Sequence, residues 1–409
     1  MPIETPSQRP GPSQRPEPTS RRPGRASLFK LADAPRAILL VRLTARGDVL
    51  LASPVIEALR RRYPKAHIAW AVESHARSMI EHHEGLDEII VWDRAAWKSM
   101  IRAGHWGALW RAFRELRARL RAPGFDIALD LQGLLRSGWL AWLSGAPVRI
   151  GLGSKEGSWM LMTGTVPRHG TAPGSTSQQY PYFADALGLP SEGLGLHLVL
   201  SNEEEGFAAR FAAEYGLGGG CYAALAPFTT RPQKHWFEDR WGEIAGRIRA
   251  ELGLPVVILG GPADREAARR IAAAGVEPMG PRRATSGVPE EGRAGDRNAD
   301  AGAPPPLIDL TGRTRLGEAA AVVRHAGLFL GVDTCLSHVS VAFRRPSVLL
   351  FGSNIPYRGA PHARARIALE LQPCAPCGNR PTCGGAFWCM QALEVDEVFD
   401  LAKTVVQQR

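Results

Sequence analysis

Several short polar clusters, each directly after an apolar run, hold the side chains that could do chemistry. The most informative is Gly331-Val-Asp-Thr-Cys-Leu-Ser-His338. Leu328-Phe329-Leu330 before it reads as a buried strand and Leu336–Phe343 as a helix. Beyond Pro346, Ser347-Val-Leu-Leu-Phe351 reads as the next strand. A strand feeding a helix through Asp-Thr leaves backbone N–H groups at a positive dipole end, which suits an anion such as a diphosphate. Asp333 or Thr334 could equally do no more than cap that helix. A second cluster, Leu43-Thr-Ala-Arg-Gly-Asp48, follows the run Ala37–Val41. Gly47 permits a tight turn there. Asp48 is either an N-cap or a general base, since a carboxylate at a cleft edge can take a proton from an attacking hydroxyl. In Ala226-Pro-Phe-Thr-Thr-Arg-Pro-Gln-Lys-His-Trp236, the hydroxyls of Thr229 and Thr230 and the ammonium of Lys234 gather where a phosphate would sit. Trp236 and Trp241 read as core anchors. In Leu259-Gly-Gly-Pro-Ala-Asp-Arg-Glu266, Gly260 and Gly261 allow backbone to approach a ligand closely, while Asp264 or Glu266 either accepts from ribose hydroxyls or caps the next helix.

These clusters need elements to hold them. Apolar runs at 37–41, 67–72, 88–92 and 125–131 read as strands, with helical patterns to Tyr63 and from Lys98 to Arg121 between them. The second half repeats the scheme, with strands at 222–226, 256–259 and 307–310 and helices at 238–252, 264–274 and 316–326. Strands apolar throughout and separated by helices predict parallel sheets covered on both faces. The expected fold is therefore α/β: two doubly wound domains, over 36–200 and 201–409, facing a cleft into which motifs at the carboxyl ends of strands project. Residues 1–35, rich in Pro, Arg and Ser, predict a disordered basic tail. Residues 280–306 have the same character and predict a disordered surface insertion.

Composition bounds the rest. A hydrophobic content of 44% over 409 residues is that of a soluble globular protein with room for two cores. No apolar run approaches a membrane span, and the N-terminus lacks the apolar stretch of a signal peptide, so a cytoplasmic location is expected. The formal charge of +10 fits nucleic acid, an anionic membrane surface or a phosphorylated substrate. Basic residues are not interleaved with aromatics as in recognised RNA motifs, so nucleic acid is not an expected partner. The spacing Cys374-x2-Cys377-x5-Cys383-x5-Cys389 has the residue types of a structural zinc site, or of reduced, redox-labile thiols.

Taken in order, these motifs resemble the ADP-heptose:lipopolysaccharide heptosyltransferases, inverting glycosyltransferases of family 9. The resemblance spans about residues 36–395. It is carried by Arg-Gly-Asp-Val-Leu (46–50), Phe-Asp-Ile-Ala-Leu-Asp-Leu-Gln-Gly-Leu (125–134), Thr-Thr-Arg-Pro-Gln-Lys-His-Trp (229–236), Leu-Gly-Gly-Pro (259–262) and Val-Asp-Thr-Cys-Leu-Ser-His (332–338). It implies a GT-B fold of two Rossmann-like domains, with acceptor in the first and nucleotide sugar in the second. It also implies Asp48 as catalytic base and Lys234 as neutraliser of the diphosphate, beside Thr229 and Thr230. Gly261 lies in the donor's glycine turn, and Asp333, Thr334, Leu336, Ser337 and His338 form the diphosphate turn. The implied reaction moves heptose from ADP-heptose to Kdo-lipid A or a heptosylated core and needs no metal cofactor. Arg60, Arg61, Arg62, Arg136 and Arg149 are candidates to meet the acceptor's carboxylates and phosphates, although a basic run at a helix end is also what a solvated terminus looks like. A lipid-linked anionic acceptor implies peripheral association with the cytoplasmic face of the inner membrane. Cys335 stands where the family usually has glycine, and Pro262 where some members carry a glutamate for ribose. Those departures leave another nucleotide sugar, or a non-catalytic nucleotide-binding relative, as the alternatives.

Overall fold

Two six-stranded parallel sheets organise the chain in the computed structural model, which describes residues 29, 31, 33–168, 176–275, 307–357, 359–378 and 380–408. The first half runs β1 (Ala37–Val41), α1 (Arg46–Ala52), α2 (Pro54–Arg62), β2 (His67–Glu73), β3 (Glu88–Trp92), α3 (Arg94–Arg102), α4 (Trp106–Arg121), β4 (Ile127–Asp130), α5 (Leu135–Leu143), β5 (Val148–Leu152), β6 (Gly164–Val166) and α6 (Gln179–Ala186). The second half runs α7 (Asn202–Glu214), β7 (Ala223–Ala226), α8 (Glu238–Glu251), β8 (Val256–Ile258), α9 (Arg265–Ala274), β9 (Leu307–Asp309), α10 (Leu316–His325) and β10 (Leu328–Val332). It closes with α11 (Cys335–Ala342), β11 (Ser347–Phe351), β12 (Ala365–Leu369), α12 (Trp388–Gln391) and α13 (Val395–Gln407).

The first sheet has the order β3-β2-β1-β4-β5-β6 and the second β12-β11-β10-β7-β8-β9. Each is the 3-2-1-4-5-6 order of a Rossmann sheet, whose ligands bind where the strand order reverses. In the first sheet that point lies between β1 and β4, paired Ile38 to Ile127 through Val41 to Asp130. In the second it lies between β7 and β10, paired Ala223 to Leu328 through Ala226 to Gly331. The segments after these four strands carry Asp48, in the first turn of α1, and Gln132, Thr229 and Asp333. The apolar strands thus deliver the polar motifs to the two switch points.

Local chemistry sets the element ends. Pro54 starts α2, where its missing N–H costs nothing. Ser201 and Glu204 form a reciprocal capping box on α7, with bonds of 3.2 and 2.8 Å. The single helix expected over 98–121 is broken: Gly104 takes a left-handed conformation, φ +69°, between α3 and α4. Helix α11 ends before Pro346 is reached, because Arg344 turns to φ +50°.

One apolar core runs through both halves, from Ile38 and Leu129 in the first to Phe329 and Leu336 in the second. Two further cores cover the outer faces of the sheets. Leu31 is buried in the shared core and Phe29 packs against it, so the described core includes residues from the stretch expected to be a disordered tail. The rest of that tail, apart from 33–35, and the whole insertion at 280–306 lie outside the described residues.

Candidate active site

Helices α1 and α11 meet at their N-terminal turns. A Cβ on Gly47 would stand 2.9 Å from His338 Cδ2 and 3.5 Å from Cys335 Cα. Gly47 is therefore required by close approach of the two halves, rather than by the tight turn expected of it; it lies within helix α1. Asp48 follows at the mouth of this contact, with its side chain 37% exposed and Oδ2 2.5 Å from Arg42 Nη2. Arg42 is buried and donates through Nη1 to the Leu131 carbonyl at 3.1 Å. Burial by itself would lower its pKa; Tyr180, Asp48 and Asp130 outweigh it and keep the guanidinium charged. Asp48 thus has one carboxylate oxygen tied to a fixed cation while the group stays partly open to solvent.

The loop before Asp48 is held from the far side of the switch point. Gln132 Oε1 accepts from the backbone N–H of Leu43 at 2.8 Å and of Thr44 at 3.2 Å. Arg136 Nη2 donates to Thr44 Oγ1 at 2.9 Å, and its Nε is buried without an acceptor among the described residues. Buried Asp130 accepts from the N–H groups of Gln132 and Gly133 at 3.0 and 2.9 Å, which fixes the turn carrying Gln132. Arg168 donates to the Gln132 carbonyl at 2.8 Å.

Across the contact, Lys234 Nζ lies 2.6 Å from Asp333 Oδ2, and Asn354 Nδ2 donates to the same oxygen at 3.1 Å. His338, also buried, has Nδ1 2.8 Å from the Tyr357 hydroxyl. Burial lowers the His338 pKa, aided by Lys234 and opposed by Asp333 and Asp48, so the imidazole is neutral. Cys335, at the first position of α11, is not among the described residues with left-handed φ, and its Sγ is 3.4 Å from Met79 Sδ in the other half. Burial pushes this thiol up to about 12, so it carries no charge into the turn.

The family described as glycosyltransferase family 9 (heptosyltransferase) matches residues 113–280 and 285–384, well over half of the chain. The chain belongs to this family. Lipopolysaccharide heptosyltransferase 1 of Pseudomonas aeruginosa is 28% identical, over 90% of this chain and 91% of that protein. Its Escherichia coli K12 counterpart is 25% identical, over 78% of this chain and 88% of its own length. A family 9 glycosyl transferase from Veillonella parvula has the same fold, with a TM-score of 0.74 at 21% identity over 93% of this chain and all of that one, 100%. So does E. coli heptosyltransferase WaaC with ADP-2-deoxy-2-fluoro heptose, at TM-score 0.61 and 20% identity over 90% and 99%.

In this family 9 glycosyltransferase, the geometry sorts the residues singled out by sequence. Asp48, Lys234, Asp333, Thr334 and His338 come together, with Thr229 half-buried and Thr230 exposed on the adjoining loop. Thr229 contributes its carbonyl to His235 Nε2 at 2.7 Å. Ser337 and Leu336 are buried, and the Ser337 hydroxyl donates to the Val332 carbonyl at 2.5 Å, which fixes the turn from within. The Gly261 N–H donates to Asp264 Oδ2 at 2.8 Å, so Asp264 acts as a local cap, and Glu266 pairs with Arg270 at 3.1 Å.

The acceptor candidates divide. Arg136 reaches the Asp48 loop. Arg60, Arg61 and Arg62 end α2 near the amino ends of the strands and are engaged there: Arg60 with Asp87 at 2.7 Å, Arg61 with Glu57, Arg62 with Asp33 at 3.8 Å. Arg149 sits near the start of β5 and donates to the carbonyls of Ala146 and Leu161 at 2.6 and 2.7 Å. The structure engages these four arginines with partners away from Asp48 and Lys234. Among the described residues, no group of three or more His, Cys, Asp or Glu side chains is arranged to hold a metal ion, the C-terminal cysteines Cys374, Cys377, Cys383 and Cys389 included.

Proposed function

We propose that the protein transfers heptose from ADP-heptose to a lipopolysaccharide inner-core acceptor, Kdo-lipid A or a heptosylated core, with inversion at the anomeric carbon. The observation that carries this reading is the juxtaposition of a carboxylate held by Arg42 on one switch-point loop with the Lys234–Asp333 pair on the other. Asp48 takes the proton of the acceptor hydroxyl, which attacks from the face opposite the leaving nucleotide. Charge developing on the diphosphate meets Lys234, the Thr229–Thr230 loop and the uncapped N-terminus of α11, donors fixed before the reaction begins. The reaction in this reading needs no metal cofactor, because those donors supply the charge a cation would. Names of the relatives support lipopolysaccharide as the acceptor class, and the ADP and ADP-sugar complexes of WaaC support the donor class. Arg136, beside the Asp48 loop, meets an anionic group of the acceptor. The enzyme works at the cytoplasmic face of the inner membrane, where its lipid-linked acceptor is anchored; no described helix is long and apolar enough to cross a membrane.

The test is ADP release from ADP-heptose with and without Kdo-lipid A, in buffer containing EDTA, with the anomeric configuration of the product read by NMR. Acceptor-dependent, EDTA-resistant release with inversion is expected. Binding without transfer would favour a non-catalytic relative, and failure to bind ADP-heptose a different donor.

A further inference from the structure

Helices α3 and α4 carry aromatic side chains where a solvated surface has polar ones. Among the described residues, α3 has none buried, and α4 has only Leu116 and Leu120, near its end. Trp106 and Trp110 at the other end of α4 are 64% and 59% exposed. Trp106, Trp110, Phe113 and Arg117 follow at i, i+4, i+7 and i+11, so they form one stripe. Leu135, Trp139 and Trp142 make the equivalent stripe on α5. The two are fused by stacking, Trp110 on Phe113 at 5.4 Å and Phe113 on Trp139 at 6.1 Å. Trp159 and Met160, on the turn Ser158–Leu161 packed against α5, extend the patch and are 60% and 65% exposed. Charge along its α3–α4 edge is predominantly positive, while the acidic Glu156 lies beside Leu135 and accepts from its N–H at 3.4 Å. Lys98, Arg102, Arg114, Arg117 and Arg121 are exposed, and Glu115 is the lone acidic residue from Arg94 to Arg121.

We propose that this face docks on an anionic phospholipid bilayer, with Trp106, Trp110 and Trp142 in the headgroup layer and Arg114 and Arg117 on lipid phosphates. Indole rings favour the membrane–water interface, and a cationic helix with tryptophans on one face lies in its plane. A second copy of the chain fits worse, because it would bring two cationic faces together. The purpose of such a surface rests on the lipid-linked acceptor proposed above. Its position suits that purpose, since α5 begins beside the loop carrying Asp48, where Arg136 bonds Thr44.

The experiment is flotation of the full chain with vesicles of phosphatidylcholine alone, or with one-third phosphatidylglycerol, without donor or acceptor. The wild type is expected to float with the anionic vesicles only. Trp106→Ser/Trp110→Ser and Arg114→Glu/Arg117→Glu should each cut partitioning at least about tenfold while leaving ADP binding and melting temperature unchanged. A wild type that does not float overturns the proposal. So do variants that float like the wild type, which would move binding to the basic N-terminal segment. Flotation with no transferase activity would instead sink the functional reading and leave the docking face standing.

Discussion

At the residue scale, the site is built from pairs in which one member fixes the other. The Lys234 ammonium is held by Asp333, which is itself mostly buried and also bonded by Asn354. Removing the lysine leaves that carboxylate without its cation as well as depriving a diphosphate of its counter-charge. Lys234→Met should therefore lower stability by about 1–3 kcal/mol and kcat/KM by roughly 10²-fold or more. Adding Asp333→Asn should return the melting temperature toward wild type without returning activity; thermal melts beside steady-state kinetics read both. If the double variant regained activity, Lys234 would serve only to neutralise Asp333. Residue types and spacing point to Asp48, Lys234 and Asp333 because the polar cluster holding each follows an apolar strand. They did not reveal Arg42, Gln132 or Arg168. Gln132 reaches Leu43 and Thr44 across 89 and 88 positions of chain, and only the pairing of β1 with β4 makes them neighbours. A basic run such as that at 60–62 looks alike at a helix end and at an anion site, and here it ends α2 with carboxylate partners.

At the element scale, the contact between α1 and α11 makes one site out of two loops. Gly47→Ala tests it, since the added methyl meets a buried imidazole already bonded to Tyr357. Overpacking of this kind costs about 1–3 kcal/mol. We expect a lower melting temperature and weaker ADP binding by calorimetry, through displaced His338; unchanged binding would show that α11 tolerates a shift of α1. The strands legible in the sequence carry an unbroken apolar run; β1, β10 and β11 are buried at every position, and β2 and β3 begin such a run after a polar first residue. The short strand β6 and the half-buried β5 and β12 are not legible, because Arg149 in β5 and Arg366 in β12 interrupt the apolar pattern. Helix α5 is not legible for a related reason: the apolar stretch Trp139–Leu143 follows Arg136 and Gly138 with no clear start signal.

At the scale of the whole molecule, stability should depend on pH through imidazoles held neutral. Burial, with His197 alongside and against a local backbone bond, lowers His83 to about 4; burial, Arg344 and Arg364 lower His362 to about 4. Such groups bind protons more readily unfolded than folded. Their stabilisation is complete above the unfolded value near 6.5 and is lost as pH falls from there toward 4. Melting temperatures should decline over that window. His83→Asn, which keeps an acceptor for the Gly85 N–H now bonded at 3.1 Å, should flatten part of the decline. An unaltered slope would place the titration elsewhere. The two-domain architecture was legible as a whole because strand and helix patterns repeat in both halves, and the matching sheet orders show the repetition in three dimensions.

The most direct measurement is single-turnover heptosyl transfer by Asp48→Asn, beside calorimetric binding of ADP-heptose to the same variant. Asparagine keeps the shape and a contact to Arg42 but cannot accept the acceptor's proton. The transfer rate should fall by about 10²–10⁴-fold with donor affinity within a few-fold of wild type. A variant that transfers heptose at close to the wild-type rate would contradict Asp48 as the base, and with it the reading of the junction where α1 meets α11 as the place where the bond forms.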